Sequence, residues 1–507
     1  MESGADSLTV ALADSLRLVQ YRLSNLILEG PGEELQSYLR ETDSLELEAV
    51  ALEKELIVRS ERYRKQKEYR EISCSTVSSL LPEGSILLEY VEYTRYELAP
   101  DTSVSCMAVL VLDKDTDPML VDLGDTGRLN IFVDQYHDHL LNLARSGAAP
   151  TSRDVRWYRS ISERLTRFAL EPIKSLIRDK DLLIIAPDGA LGLISFSGLM
   201  EGDGRYFIER HAIHYLSSGR DIVRYADRPF SASGLFALGD PDFDADASSR
   251  LSSLMIPRDT PLSSPENKML ALRWSGSSIE GLSLSPLPGT RREIALIVQR
   301  WKETSREPAI ECLGPGASEE QLKAAIHGHR IVHLATHGFS FKTPYQHALS
   351  GYSSRSGTAV AIDNPLLRSG LFLAGANLVG RGAGIESAAE DGVLTAYEVS
   401  ALSLDGTDLV VLSACETGMG AVETGEGVYG LKRAFQMAGA RIVISSLWRV
   451  LDTDTADMMA NLYRNRSESI PETMRRIQNG KIEELRAGDL TDHPFHWAAF
   501  IVTGDWK

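Results

Sequence analysis

Apolar residues recur at three- and four-residue steps near the start of the chain. Leu12, Leu16, Val19, Leu23 and Ile27 form one stripe, which predicts an amphipathic helix. Gly30-Pro31-Gly32 interrupts it. Leu45, Leu47, Val50, Leu52, Leu56 and Ile57 then recur among acids and bases, predicting a second helix. Residues 1–79 are therefore expected to be a helical region built as a hairpin. Its apolar faces must pack on each other, on the rest of the chain or on a partner protein.

From about residue 80 the pattern changes to short apolar runs without polar alternation. They are Ser85–Tyr90, Met107–Leu112, Asp181–Ala186, Gly234–Gly239, Arg330–Ala335, Asp408–Ala414 and Arg441–Leu447. Helical patterns separate many of them, at roughly 128–146, 155–178, 291–302, 319–326, 430–438 and 453–463. Strands of this texture between helices predict an α/β fold with a doubly wound, mostly parallel sheet covered on both faces. Residues 241–288 are rich in Ser, Asp and Pro and lack periodicity, so they read as a long flexible loop.

Composition narrows the function. The 507 residues are 43% hydrophobic and 24% charged, with a formal net charge of −18. These are globular values, and the charge disfavours direct nucleic-acid binding. The four cysteines, Cys74, Cys106, Cys312 and Cys415, include no C-x-x-C pair. They make no disulfide framework, which fits a reducing, cytoplasmic setting. No secretory signal begins the sequence and no apolar run approaches the ~20 residues of a membrane span.

In a doubly wound sheet, reactive side chains gather beyond the carboxyl ends of strands. Two ends stand out: Ile331–Gly338 (IVHLATHG) and Val410–Gly418 (VVLSACETG). One brings a histidine followed by glycine, the other a cysteine in a glycine-containing loop. An imidazole beside a thiol can hold it as thiolate and protonate a leaving amine. The backbone N–H groups of Gly338 and Cys415 could receive an oxyanion. Taken singly, a strand-end cysteine or histidine more often packs or caps. His333 and His337 would lie about 13 Å apart on a strand, and no further ligands complete a metal site. His333 is expected to pack, and no metal or organic cofactor is called for. The chain holds no G-x-x-x-x-G-K-[ST] and no G-x-S-x-G.

HLATHG together with LSACETG resembles the signature pair of CHAT domains. Further matches follow in order: Leu80–Tyr90, Ile185–Phe196, Leu287–Glu293, Gly425–Gly427, Ala434–Ala440, Ser446–Asp452 and Trp497–Gly504. The resemblance covers about residues 80–507. It implies a caspase/separase-like sheet with a His–Cys dyad, in which His337 and Cys415 are the catalytic pair of a cysteine endopeptidase acting on a protein substrate. It also implies an insertion over 340–392, a loop and hairpin flanking the site. Many relatives carry long helical-repeat arrays. This chain has room for about two such helices, so an activating partner could dock there.

Two strand comparisons suggest an internal duplication. Leu182–Gly189 (LLIIAPDG) parallels Ile331–Gly338, with Asp188 in the place of His337. Leu235–Asp240 (LFALGD) parallels Val410–Cys415, with Asp240 in the place of the thiol. Residues 80–240 are thus expected to form an inactive caspase-like half, 241–288 a loop, and 289–507 the active half. For the substrate, Trp448 is expected as an apolar wall. Asp452 is expected to bind a basic side chain, with Glu416 adding negative potential and Arg449 as the acidic-selective alternative. Asp452 could equally cap the helix that follows it. Arg250 and Arg258 are expected as self-cleavage points. The competing reading is a catalytically silent interaction module that keeps the fold.

Overall fold

The computed structural model describes residues 72–96, 103–225, 232–255, 283–340, 366, 369–380, 390–414, 421–423, 427–448, 452–464, 468–488 and 490–506, with scattered positions between 12 and 55. The chain divides into two compact units, 1–77 and 78–507. In the first, every described position from Leu12 to Glu55 is helical, as the apolar stripes require. The expected break at Gly30–Gly32 lies outside the described residues.

The second unit is built on strands β1 (Ser85–Tyr96), β2 (Ser103–Asp113), β3 (Met119–Asp125), β4 (Leu182–Ala186), β5 (Ala212–Tyr215), β6 (Leu235–Pro241), β7 (Ala309–Gly314), β8 (Ile331–Thr336), β9 (Gly338–Ser340), β10 (Ser369–Phe372), β11 (Val393–Thr395), β12 (Leu409–Ala414), β13 (Ala421–Glu423), β14 (Gly427–Tyr429), β15 (Ile442–Ser446) and β16 (Phe500–Gly504). Its helices include α1 (Gly127–Ser146), α2 (Ser152–Ala169), α3 (Asp221–Tyr225), α4 (Ala247–Ser252), α5 (Pro288–Thr304), α6 (Glu319–Ala325), α7 (Ala396–Ser400), α8 (Leu431–Ala438), α9 (Asp452–Leu462) and α10 (Ile470–Ala487). One sheet of eleven strands runs β3-β2-β1-β4-β5-β16-β15-β12-β8-β6-β7. The expected α/β class, with a doubly wound and mostly parallel sheet, is therefore what the chain adopts.

Alternating side chains of the parallel strands feed two separate cores. Leu235, Ala237, Ile331, Ala335, Leu409, Val411, Ile442 and Ile444 point to one face, where α1, α2, α5, α9 and α10 cover them. Phe236, Leu238, Val332, Leu334, Val410, Leu412 and Val443 point to the other, under α6, α7 and α8. This two-sided burial explains why those strands read as continuous apolar runs. Gly504 ends β16 at φ +118°, where a Cβ would come within 2.1 Å of the Arg441 carbonyl oxygen.

The strand grouping differs from the expected halves in one respect. β6 is hydrogen-bonded in parallel to β8 on one side and β7 on the other, so it belongs with the later strands. Asp240 therefore does not stand in a nucleophile's place within a separate half. It lies near the end of a strand that flanks β8 directly, and its carboxylate accepts a 2.6 Å hydrogen bond from Arg291 Nε. The earlier group is β3-β2-β1-β4-β5, in which β1, β4 and β5 are parallel but β2 and β3 return as antiparallel hairpins. β16 is antiparallel to β15 and parallel to β5. The two parallel groups therefore run in opposite directions, and β4 and β8 end on opposite edges of the sheet. Asp188, after β4, is buried and accepts from the backbone N–H groups of Glu92 and Gly189, each at 2.8 Å.

The 241–288 segment is only partly a loop. Residues 241–255 continue β6 and include α4, and Leu284–Leu287 lead into α5. The rest, 256–282, lies outside the described residues. Of the expected insertion over 340–392, the described part contributes to a small antiparallel sheet, β11-β10-β9.

Candidate active site

β8 and β12 are neighbours, parallel and in register, with Leu409 opposite Ile331 and Ala414 opposite Thr336. Each strand's next residue in sequence is a member of the expected pair: His337 after Thr336, Cys415 after Ala414. Neighbouring strands lie about 4.8 Å apart, so both strand ends open at one place. Cys415 itself, with Glu416 and Arg449, lies outside the described residues.

Both strand ends are fixed by bonds the ladder alone would not supply. The Ser446 hydroxyl, from β15, donates to the carbonyl of Ala414. The Thr336 hydroxyl donates to the Phe372 carbonyl at 2.5 Å, and Phe372 N donates to the His337 carbonyl at 2.9 Å. The residue before the cysteine and the backbone of the histidine are thus tied to β15 and β10.

The His337 ring is held from a third direction. Its Nε2 donates to the Ser285 carbonyl at 3.0 Å, and Phe243 lies 5.4 Å away, centroid to centroid, at 32°. Phe243 packs in a satellite cluster with Leu287, Phe339, Phe372 and Val393. The strap bearing Ser285 is pinned by Asn377, whose Oδ1 accepts from Leu284 N at 2.7 Å and whose Nδ2 donates to Leu284 O at 3.2 Å. Since a carbonyl only accepts, Nε2 carries the proton. In the neutral ring, Nδ1 is then the basic nitrogen. Neither Ser285 nor Phe243 had a signal in the sequence: a backbone carbonyl has no residue type, and a lone phenylalanine in an Asp-rich loop looks incidental.

The other expected residues fall differently. Gly338 opens β9, where it pairs with Leu371 of β10. Trp448 is 1% exposed, packs edge-on to Tyr136 at 6.3 Å and donates from Nε1 to the Phe495 carbonyl at 3.2 Å. It is a core residue and not an exposed substrate wall, because β15 directs it into the apolar layer under α1. Trp448→Ala should therefore cost about 3–5 kcal/mol of stability, read from the urea midpoint. A loss below ~1 kcal/mol would place it outside the core. Asp452 begins α9, with only its backbone described. His333 packs as expected, fully buried, with Nδ1 2.9 Å from Tyr463 Oη and Nε2 2.9 Å from Glu293 Oε1. Arg250 cannot be an accessible cleavage point. It is buried in α4, 3.3 Å from Glu320 and donating to the Glu390 carbonyl at 2.7 Å. Arg258 lies outside the described residues.

Around the edge of α6, carboxylates of Glu319, Glu390 and Glu398 converge within 4.8 Å of one another. Such oxygens could hold a cation, but the Lys323 ammonium stands among them at 2.6, 3.4 and 3.0 Å. Burial pushes the Glu319 carboxyl well above the usual range, with Lys323 pulling the other way. No helix among the described residues is long and apolar enough to cross a membrane.

An α/β sheet with a fixed histidine beside a cysteine-bearing strand end defines a class of candidate thiol–imidazole proteins. A family model for the CHAT domain matches residues 159–505, and the chain belongs to that family. The matched span begins within α2 and takes in both strand ends. The human tetratricopeptide repeat protein 28 is 25% identical over 371 residues, covering 68% of this chain and 13% of that protein. Among solved structures, the Saccharomyces cerevisiae separase–securin complex aligns over 93% of this chain and 34% of the matched chain, at 8% identity and a TM-score of 0.44. A Porphyromonas gingivalis complex of RgpB pro- and mature domains aligns over 75% of this chain and 76% of that one, at 12% identity and a TM-score of 0.35.

Proposed function

We propose that this chain is a cysteine endopeptidase in which Cys415 is the nucleophile and His337 the proton carrier. The observation that supports it is the register of β8 and β12, which end opposite each other at Thr336 and Ala414. In this reading, His337 Nδ1 takes the thiol proton and the thiolate attacks a peptide carbonyl. The oxyanion is received by the backbone N–H groups of Gly338 and Cys415. The same Nδ1 then protonates the leaving amine, and water hydrolyses the thioester. The Ser285 carbonyl keeps Nε2 protonated and stabilises the imidazolium that forms. No metal or organic cofactor takes part in these steps.

The substrate is a protein, with a basic side chain before the scissile bond. Asp452 is its proposed partner, helped by the exposed acids Asp242 and Asp244 on the loop that carries Phe243. The helices of residues 1–77 are the proposed contact for an activating partner.

A peptidyl electrophile with a basic terminal residue tests the reading. Intact-mass measurement should show one adduct, mapped to Cys415, at a rate at least ~100-fold above that of Cys74. Labelling of Cys415 no faster than that of Cys74 would favour the silent scaffold.

A further inference from the structure

α8 carries two side chains that its core does not satisfy. Leu431, Ala434, Phe435 and Ala438 pack on the sheet. Lys432 and Gln436 stand four residues apart on one flank of the helix. Lys432 is 7% exposed, and no hydrogen bond or ion pair of its ammonium is found among the described residues. Gln436 is 1% exposed, and neither its amide nitrogen nor its amide oxygen has a partner. Next to Lys432, Arg433 has a buried Nη1 without a hydrogen bond, 4.0 Å from Asp221 Oδ1. α3 lies against this side: Arg224 Nη2 donates to the Gln436 carbonyl at 3.2 Å.

An ammonium and a primary amide left without partners in the interior both cost free energy. Burial, and then the charge of Arg433, push Lys432 down to about 8. Among the described residues, the contacts here set Lys432, Arg433 and Arg224 against one acid, Asp221, in a chain whose net charge is −18. One ligand class would satisfy the unpaired donors together. An oxyanion can accept from the ammonium, the amide nitrogen and the guanidinium, which is more donors than a single carboxylate oxygen would use.

We propose that α8 and α3 form an anion site, with Lys432, Gln436 and Arg433 as its donors, that takes a phosphate group. Its donors are not the residues of the proposed dyad, and its binding does not depend on the peptidase reading.

Inorganic phosphate is the probe, titrated into the full chain by calorimetry and by thermal unfolding, against sodium chloride at matched ionic strength. The wild type should bind one phosphate and show a melting temperature that rises with phosphate. Lys432→Met should weaken binding at least about tenfold and lose the rise, while its melting temperature without phosphate is no lower than wild type, since an unpaired charge has gone. Gln436→Leu should weaken binding less. Lys174→Met, at an exposed lysine paired with Glu171, should bind as wild type. Absence of a phosphate-specific shift in the wild type overturns the proposal. So does an equal shift in Lys432→Met, or an equal response to acetate.

Discussion

Cys415→Ala and His337→Ala should each lower kcat/KM for a cleaved peptide by roughly 10⁴-fold or more, with the double variant no worse than either single one. In the proposed mechanism the two groups act on the same proton. Without the imidazole the thiol stays mostly neutral at pH 7, and the leaving amine has no donor. Without the thiol the imidazole has nothing to activate but water. Fluorogenic peptides selected from a library, with far-ultraviolet dichroism to confirm folding, are the measurement. Both residues follow strands that are buried and doubly flanked, so neither change should disturb the sheet. Cleavage that survives in purified Cys415→Ala would remove the thiol from the chemistry.

Lys323→Met should be the most destabilising single change outside the apolar core, by about 3–5 kcal/mol. Burial opposes the charge of Lys323, yet Glu319, Glu398 and Glu390 hold it above the ordinary lysine range. Methionine fills the same space and leaves three buried carboxylates facing one another. The effect should also reach the proposed active site. Glu319 accepts from Gly392 N at 3.0 Å, and Gly392 O accepts from Leu373 N at 2.7 Å, just beyond the strand that clamps His337. The sign with pH follows from the carboxylates. With the cation gone, the Glu319 carboxyl, which burial already holds well above the usual range, binds a proton as pH falls, so the loss is largest near pH 8 and shrinks toward pH 5.5. Urea midpoints at pH 8 and pH 5.5 for both proteins check this. Equal losses at the two pH values would show that the cluster is not electrostatically coupled.

Much of the central sheet was legible because its strands are buried on both faces. β4, β6, β8, β12 and β15 carry uninterrupted apolar runs whose bounds match the strands to within about two residues. The strands that escaped notice lack that signature. β5 is four residues long and includes His214 in its AIHY. β7 is an edge strand with half-buried, mixed side chains. β16 was visible as the motif WAAFIVTG but not as the strand joining the two groups. The division after residue 240 failed because hydrophobicity cannot say which neighbour a strand chooses, and β6 chose β7 and β8. At the candidate site, the histidine and cysteine are proposed from chemistry at strand ends. The groups that orient them could not, since Ser285 acts through its backbone and Ser446 through a hydroxyl donated across the sheet. Trp448 misled because an aromatic residue beside a reactive strand end looks the same in sequence whether it faces a ligand or the core.

The junction of β5 and β16 has a consequence for how the chain acquires this structure. Only Thr503 and Tyr215 pair in register across it, while His214 Nε2 meets the Gly504 carbonyl at 2.6 Å, 290 residues away in sequence. Joining ends so distant is entropically the most expensive closure in the sheet, and few hydrogen bonds reward it. The hairpins and near-neighbour strands of the earlier group close much shorter loops. On a ribosome that group can be complete long before β16 emerges, and it waits with β5 as an open edge. Refolding should therefore show a late phase in which β16 enters the sheet last, and mutations at this junction should slow that phase while leaving the earlier ones unchanged.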